Sequence, residues 1–171
     1  MKLLAYEVDK RSFLGIFNED ETWVYPISAA GMEYRSMKDL IREAGPSEME
    51  MLDYISKKAP GDVTGAAPVE EIKIVSPIPE PDQDIICLGI NYMDHAAESA
   101  RFQKEEFARP EKAIYFSKRV NRTNDPDGII PAHKNLTNQL DYEAELAVII
   151  KKDAKDVKPE EVKDYIFGYT I

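Results

Sequence analysis

The pattern of apolar and polar positions in the first quarter of the chain predicts a set of short strands. Residues 3–8 and 12–17 are rich in apolar strand-forming side chains, and residues 22–27 form a β-branched and aromatic run. Residues 18–21, Asn-Glu-Asp-Glu, separate the second run from the third and are typical of a turn. We therefore predict a β-hairpin over residues 12–27.

Two short helices are predicted after this hairpin. Ser36 is placed to cap a helix over residues 37–44, which Gly45 would end. The spacing in Ser47-Glu48-Met49-Glu50 fits a capping box and predicts the start of a second helix. The apolar sides of the two helices are formed by Met37, Leu40 and Ile41, and by Met51, Leu52 and Ile55.

The remainder of the chain is predicted to form a second domain. Residues 61–68 are rich in Gly, Ala, Pro and Thr and suit a linker, so we divide the chain into a small α+β domain over 1–69 and a second domain over 70–171. Residues 77–81 contain three prolines and predict an extended connector. The second domain is predicted to contain strands at 71–76, 84–90, 113–117, 141–151 and 167–171, and helices at 92–101 and 158–165.

Composition and charge narrow the classes of function. The chain is 43% hydrophobic, which is typical of a folded protein, and its net charge of −10 disfavours nucleic acid and favours a divalent cation as a partner. The first residues lack the pattern of a signal peptide and no apolar run is long enough to cross a membrane, so we expect a cytoplasmic protein. Cys87 lies in an apolar run, which favours a buried inert thiol over a catalytic cysteine.

The first candidate for chemistry is the pair Glu143 and Glu145. On a strand these side chains would project from the same face, with Cα atoms roughly 7 Å apart. Two buried carboxylates at that separation repel each other, and a hard cation such as Mg²⁺ or Mn²⁺ would stabilise them. The alternative is that they form the solvated face of an edge strand.

Two further groups of residues are candidates. His95 and Glu98 are three residues apart and share a helix face, where the carboxylate would orient the imidazole as a general base. Lys118 and Arg119 follow a predicted strand and could bind a substrate carboxylate. A surface ion pair and solvated strand-end charges are the respective alternatives.

Four sequence blocks, taken together and in order, resemble the fumarylacetoacetate hydrolase family. The blocks are Ile-Cys-Leu-Gly-Ile-Asn-Tyr-Met-Asp-His-Ala-Ala-Glu, Ile-Tyr-Phe-Ser-Lys, Leu-Asp-Tyr-Glu-Ala-Glu-Leu-Ala-Val-Ile-Ile and Tyr-Ile-Phe-Gly-Tyr-Thr. The resemblance covers residues 70–171, whereas residues 1–69 resemble the N-terminal domain of bacterial members only in size and strand content. It implies an α+β chain whose second domain is part of a mixed β-sandwich roll, and a homodimer.

The resemblance also implies a role for each candidate residue. Glu143 and Glu145 would be two of three carboxylate ligands of Mg²⁺ or Mn²⁺, with Ca²⁺ as a further option. His95 and Glu98 would activate a water molecule, and Lys118 matches a lysine near the family's active site. Residues 99–111 would correspond to a lid. In the family the third ligand is an Asp that follows the Gly-Tyr-Thr block, so we expect a longer enzyme, and weak metal binding and no activity from these 171 residues alone.

The reaction implied by the resemblance is metal-dependent hydrolysis or lysis of a C–C bond in a 2-oxo acid or 1,3-dicarbonyl compound, as in aromatic catabolism. The cation would stabilise the developing enolate while His95, oriented by Glu98, removes a proton from water. Decarboxylation and isomerisation of similar small molecules are alternatives within the family. A non-catalytic member that serves as a binding or partner subunit is the alternative from another class.

Overall fold

The structure is a computed structural model that describes residues 1–94, 97 and 111–171. It contains two compact units, one of residues 1–78 and 124–171 and the other of residues 79–123. The strands of the described residues are β1 Leu3–Val8, β2 Arg11–Phe17, β3 Trp23–Pro26, β4 Ala67–Pro68, β5 Lys73–Val75, β6 Ile85–Gly89, β7 Ile114–Lys118, β8 Ala147–Ile150 and β9 Ile166–Thr170. The α-helices are α1 Met37–Glu43 and α2 Pro46–Ser56. The predicted α+β class is confirmed.

The first unit contains an antiparallel sheet with the strand order β4-β3-β2-β1-β5. β2 pairs with both β1 and β3, with Ile16 opposite Leu3 and Tyr25. The predicted hairpin over residues 12–27 is confirmed, and its turn is stabilised by the Asn18 side chain, which accepts hydrogen bonds from the amides of Thr22 and Trp23 at 3.0 and 2.9 Å.

The two faces of this sheet bury separate apolar clusters because side chains alternate along each strand. Ile16 and Tyr25 lie on the face covered by the helices, where they join Leu40 and Leu52 in the main core. Tyr6 and Val24 lie in the smaller cluster, which partly buried residues such as Phe17 and Ile74 contact. The main core therefore holds the helices against the sheet.

The helices begin where short-range signals place them, with one correction. Ser36 caps α1, because its side chain accepts a hydrogen bond from the amide of Asp39 at 3.2 Å. The predicted capping box at Ser47 is wrong. α2 begins two residues earlier, at Pro46 after Gly45, and the Glu48 carboxylate accepts a hydrogen bond from the Gly45 amide at 2.8 Å. Proline suits this first position because it has no amide hydrogen to leave unpaired.

The helix faces agree with the periodicity except at one position. Met37, Leu40 and Ile41 of α1 are buried, as are Leu52 and Ile55 of α2. Met51 was expected on the apolar side of α2 and is 44% exposed. Of that set, Leu52 and Ile55 alone are buried, because they are three residues apart and share one face of the helix.

Part of the predicted linker is a strand of the first sheet, because β4 lies within residues 61–68 and pairs with β3. The strand predicted over 71–76 is present as β5, but it pairs with β1 of the same sheet. Pairing with the edges of the sheet satisfies backbone groups of both segments. The sheet thus extends past residue 69, and the division into domains at 69/70 stays a prediction.

The second unit contains the antiparallel pair β6 and β7, with Cys87 opposite Phe116. Both strands were predicted, but β6 was expected to be buried and Ile86 is 66% exposed in this chain. Cys87 is half-buried rather than buried. The hydrophobicity of an apolar strand such as β6 indicates that it tends to be buried, but it does not identify the segment that packs on it. The helix predicted over 92–101 and the lid over 99–111 lie mostly outside the described residues.

The last part of the chain is an antiparallel pair of β8 and β9, which belongs to the first unit. β9 agrees with its prediction. The strand expected over 141–151 is limited to Ala147–Ile150, and the helix expected over 158–165 is a 3₁₀ helix over Pro159–Asp164. Pro159 occupies the first helical turn as predicted.

Candidate functional site

Glu143 and Glu145 lie immediately before β8. Residues 141–146 form no helix or strand, so the two side chains are not aligned by strand geometry as the sequence pattern predicted. Glu143 is exposed, whereas Glu145 is half-buried. A strand forms only where backbone groups find a partner, and β9 pairs with residues 147–150 alone. The expectation that both carboxylates are buried on one strand face is therefore wrong for this chain.

The donor atoms of this segment nevertheless fit a hard divalent cation. Carboxylate oxygens are the ligands that Mg²⁺, Mn²⁺ and Ca²⁺ prefer in proteins. Two carboxylates separated by one residue are close enough along the chain to approach one ion. Among residues 1–94, 97 and 111–171, no group of three or more His, Cys, Asp or Glu side chains is gathered as a complete metal site. A cation held by Glu143 and Glu145 would therefore need further ligands.

Lys118 lies in the second unit as the last residue of β7, opposite Ile85. Its side chain is exposed, and its Nζ atom is 6.0 Å from the centroid of the Phe116 ring. Arg119 follows it and is also exposed. An exposed cation at a strand end is accessible to an anionic ligand, which agrees with the predicted position of these charges.

His95 and Glu98 lie outside the described residues, so their proposed pairing remains a prediction. The strand that leads to them is formed as predicted, because β6 ends at Gly89. Ile90 follows with a φ angle of +54°, which is unusual for a β-branched residue. β6 is therefore followed directly by a residue in the left-handed region.

Asp125, which was not among the candidates from sequence, lies at a junction of the first unit. Its Oδ1 atom accepts a hydrogen bond from the Ser76 amide at 2.9 Å, and its Oδ2 atom is 3.2 Å from Lys73 Nζ. The one available signal was the Asp125–Gly128 run, which is typical of a turn. The contact to Ser76 spans 49 residues and could not be inferred from local pattern.

Comparison with known proteins shows the family. Residues 84–171 match the family described as Fumarylacetoacetate (FAA) hydrolase C-terminal, and this match covers about half of the chain. The chain belongs to the fumarylacetoacetate hydrolase family. The resemblance inferred from the four sequence blocks is thereby confirmed.

Individual relatives match over the whole of this chain. Oxaloacetate tautomerase YisK of Bacillus subtilis (strain 168) is 40% identical over 181 residues, which is 100% of this chain and 58% of that protein. An uncharacterized protein of Staphylococcus epidermidis, SERP0556, is 29% identical with the same coverage. The solved structure of fumarylacetoacetate hydrolase (EaFAH) from psychrophilic Exiguobacterium antarcticum matches with a TM-score of 0.64 and 26% identity, over 99% of this chain and 53% of that one.

These matches show how much of a related enzyme the chain covers. It has the fold of about half of such an enzyme, and the match includes the small α+β portion that the family model does not cover. It spans 58% of the length of the curated relatives and 53% of the solved structure. Within the described residues, no helix is both long and apolar enough to cross a membrane.

Proposed function

We propose that the protein is a divalent-metal-dependent enzyme that interconverts the keto and enol forms of a small 2-oxo acid, of the class to which oxaloacetate belongs. The observation that carries this proposal is the 40% identity to an oxaloacetate tautomerase over the entire chain. The Glu143-x-Glu145 segment supports it, because its carboxylates suit the cation that such chemistry uses.

In this proposal Glu143 and Glu145 hold the cation, and a third ligand lies beyond the groups described above. A cation bound there would act as a Lewis acid toward the substrate's oxygens and favour loss of a proton from the carbon beside the carbonyl. The Lys118 ammonium would bind a carboxylate of the substrate, which fixes the orientation of the reacting carbon.

His95 would carry the proton in this reaction. The imidazole removes a proton from the carbon next to the carbonyl, the electron pair forms the C=C bond, and the carbonyl oxygen takes up a proton to give the enol. The reverse sequence regenerates the keto form. Glu98, three residues along, would orient the imidazole and raise its basicity for this proton transfer.

The second candidate is hydrolysis of a C–C bond in a 1,3-dicarbonyl compound, and the structural match to a fumarylacetoacetate hydrolase favours it. Here His95 would take a proton from water, and the hydroxide would attack one carbonyl. The C–C bond would then break, its electron pair would leave as an enolate, and reprotonation of that enolate would give the ketone product.

The experiment that tests this proposal compares substrates and one ligand variant in the complete gene product. Enol oxaloacetate is followed by its ultraviolet absorbance, and an acylpyruvate is followed by pyruvate release, each with and without Mg²⁺ or Mn²⁺. We expect accelerated enol loss that requires the metal and that Glu143→Gln reduces by more than roughly tenfold. Glu70→Gln, which removes an exposed carboxylate elsewhere, is the matched control.

The outcomes separate the candidates. Pyruvate release from the acylpyruvate without faster ketonisation would replace the tautomerase with the hydrolase. Unchanged metal-dependent turnover in Glu143→Gln would refute the ligand assignment. Absence of both activities would favour the non-catalytic binding subunit.

A further inference from the structure

The small N-terminal sheet contacts the strand that follows the two carboxylates. Ile149 in β8 and Phe167 in β9 pack against the main core, which contains Ile16, Tyr25 and Leu40. Ile149 is four residues after Glu145, so a side chain close to the ligand segment is held by a core formed almost entirely by residues 14–66.

A β-bulge allows both side chains to make this contact. The register passes from Ile149 opposite Gly168 to Ile150 opposite Ile166, which leaves Phe167 as the extra residue. A bulge changes the direction of a side chain that would otherwise alternate to the other face. Gly168 has no side chain, so nothing from the partner strand competes with Ile149 for space beside the core. The hairpin is therefore attached to the core through two neighbouring apolar groups.

Asp125 forms a second attachment on the other side of the carboxylates. Its two oxygens bind the Ser76 amide at 2.9 Å and Lys73 Nζ at 3.2 Å, and Lys73 lies in β5 at the edge of the sheet. Lys73 Nζ also lies 3.8 Å from Glu7 in β1. The start of the segment is thus fixed to the same sheet that holds its end.

The chain between these two attachments has little internal order of its own. Residues 126–146, all of which are described, contain no helix or strand. Metal ligands must be held within about 0.5 Å of a productive position, and a segment without regular structure receives that order from its ends and its neighbours.

We propose that the N-terminal sheet positions the Glu143–Glu145 segment for metal binding through two anchors, Asp125 at Ser76 and Lys73, and Ile149 with Phe167 at the main core. This inference rests on the proposed function, in which the two carboxylates are metal ligands. The N-terminal portion then contributes to the affinity of the metal site although it supplies no ligand. Asp125, Ile149 and Phe167 act as positioning residues.

The test measures Mn²⁺ affinity by titration calorimetry and thermal stability in parallel, on the complete gene product. Ile149→Ala removes the apolar anchor, and Ile150→Ala is the matched control, because Ile150 is the next residue in β8 and is 52% exposed. Asp125→Ala removes the polar anchor, and Asp153→Ala, at an exposed carboxylate, is its control. The milder variant Ile149→Val keeps most of the apolar contact and should retain most of the Mn²⁺ affinity.

We expect each anchor variant to weaken Mn²⁺ binding by roughly tenfold, as loss of groups that support metal ligands generally does, while both controls bind like the unchanged protein. Should Ile149→Ala fail to fold, Asp125→Ala still carries the test. Reduced melting temperature with unchanged Mn²⁺ affinity in the anchor variants would show a purely structural role and overturn the inference. Absence of Mn²⁺ binding by the unchanged protein would instead overturn the proposed function, and the inference with it.

Discussion

Gly15 lies at a point of the central strand β2 where there is no room for a side chain. A Cβ atom built at this position would lie 2.8 Å from Tyr6 Cε1, 2.8 Å from Val24 Cγ1 and 2.9 Å from the Tyr25 carbonyl oxygen. Ordinary carbon contacts are about 3.5–4.0 Å, so all three neighbours would have to move. We predict that Gly15→Ala destabilises the first unit.

The magnitude follows from the surroundings of these neighbours. Tyr6 and Val24 are 3% and 0% exposed, so neither side chain can rotate into solvent, and the third neighbour is backbone of β3. Overpacking a rigid site of this kind costs about 3 kcal/mol at the upper end of the usual range. Loss of glycine entropy in the unfolded chain returns about 0.4–1 kcal/mol. The net loss is about 2 kcal/mol, or roughly a 30-fold larger unfolding constant.

Urea denaturation followed by circular dichroism measures this loss. Gly61→Ala is the matched control, because a Cβ atom there meets no atom within 4 Å and the residue lies in the same portion of the chain. We expect the control to unfold at the urea concentration of the unchanged protein or slightly above it. Equal midpoints for Gly15→Ala and the unchanged protein would refute the packing described for β1, β2 and β3.

Two further predictions concern the helices. Ser36→Ala should lower the free energy of unfolding by about 1 kcal/mol because the α1 cap is lost. Ser47→Ala, inside the first turn of α2, should change it little. A larger loss for Ser47→Ala than for Ser36→Ala in urea denaturation would support a cap at Ser47 instead. The Tyr34 hydroxyl donates a hydrogen bond to Glu48 at 2.6 Å, which lowers the pKa of Glu48 from its usual 4.5 and raises the pKa of Tyr34 to about 12. The contribution of Glu48 to the free energy of unfolding is present above pH 4.5 and is lost as the pH falls through its lowered pKa. The contribution of Tyr34 is present below pH 10.0 and is lost as the pH rises towards its raised pKa of about 12. Melting temperatures of Tyr34→Phe should vary less in both windows, and identical pH profiles would contradict the contact.

Local signals predicted the parts of the fold that short-range physics determines. The Asn18 and Ser36 side chains each bind backbone amides no more than five residues away, so both contacts can be predicted from the local sequence. The α2 start was missed because Gly45 and Pro46 offer no capping oxygen. Glu48 instead accepts a hydrogen bond from the Gly45 amide. The spacing of Ser47 and Glu50 matches a capping box equally well, so sequence alone did not separate the two starts.

Local sequence patterns did not predict features that depend on contacts between distant residues. The strand expected over 141–151 has suitable residues throughout, but only residues 147–150 find a partner in β9. The anchors at Asp125 and Ile149 join residues 49 or more positions apart along the chain. For the site, sequence blocks identified the family and singled out Glu143 and Glu145 as the proposed metal ligands. Strand periodicity misjudged the local geometry of Glu143 and Glu145, because pairing and not propensity determines where the strand begins.

Calorimetric titration of the complete gene product with Mn²⁺ shows whether Glu143 and Glu145 bind a divalent cation. We expect saturable binding that the double variant Glu143→Gln/Glu145→Gln abolishes. The control Glu70→Gln/Glu71→Gln removes the same charge from two exposed carboxylates and should leave binding intact. Equal Mn²⁺ affinity in both double variants would refute the ligand assignment, because the metal would then be held by other groups.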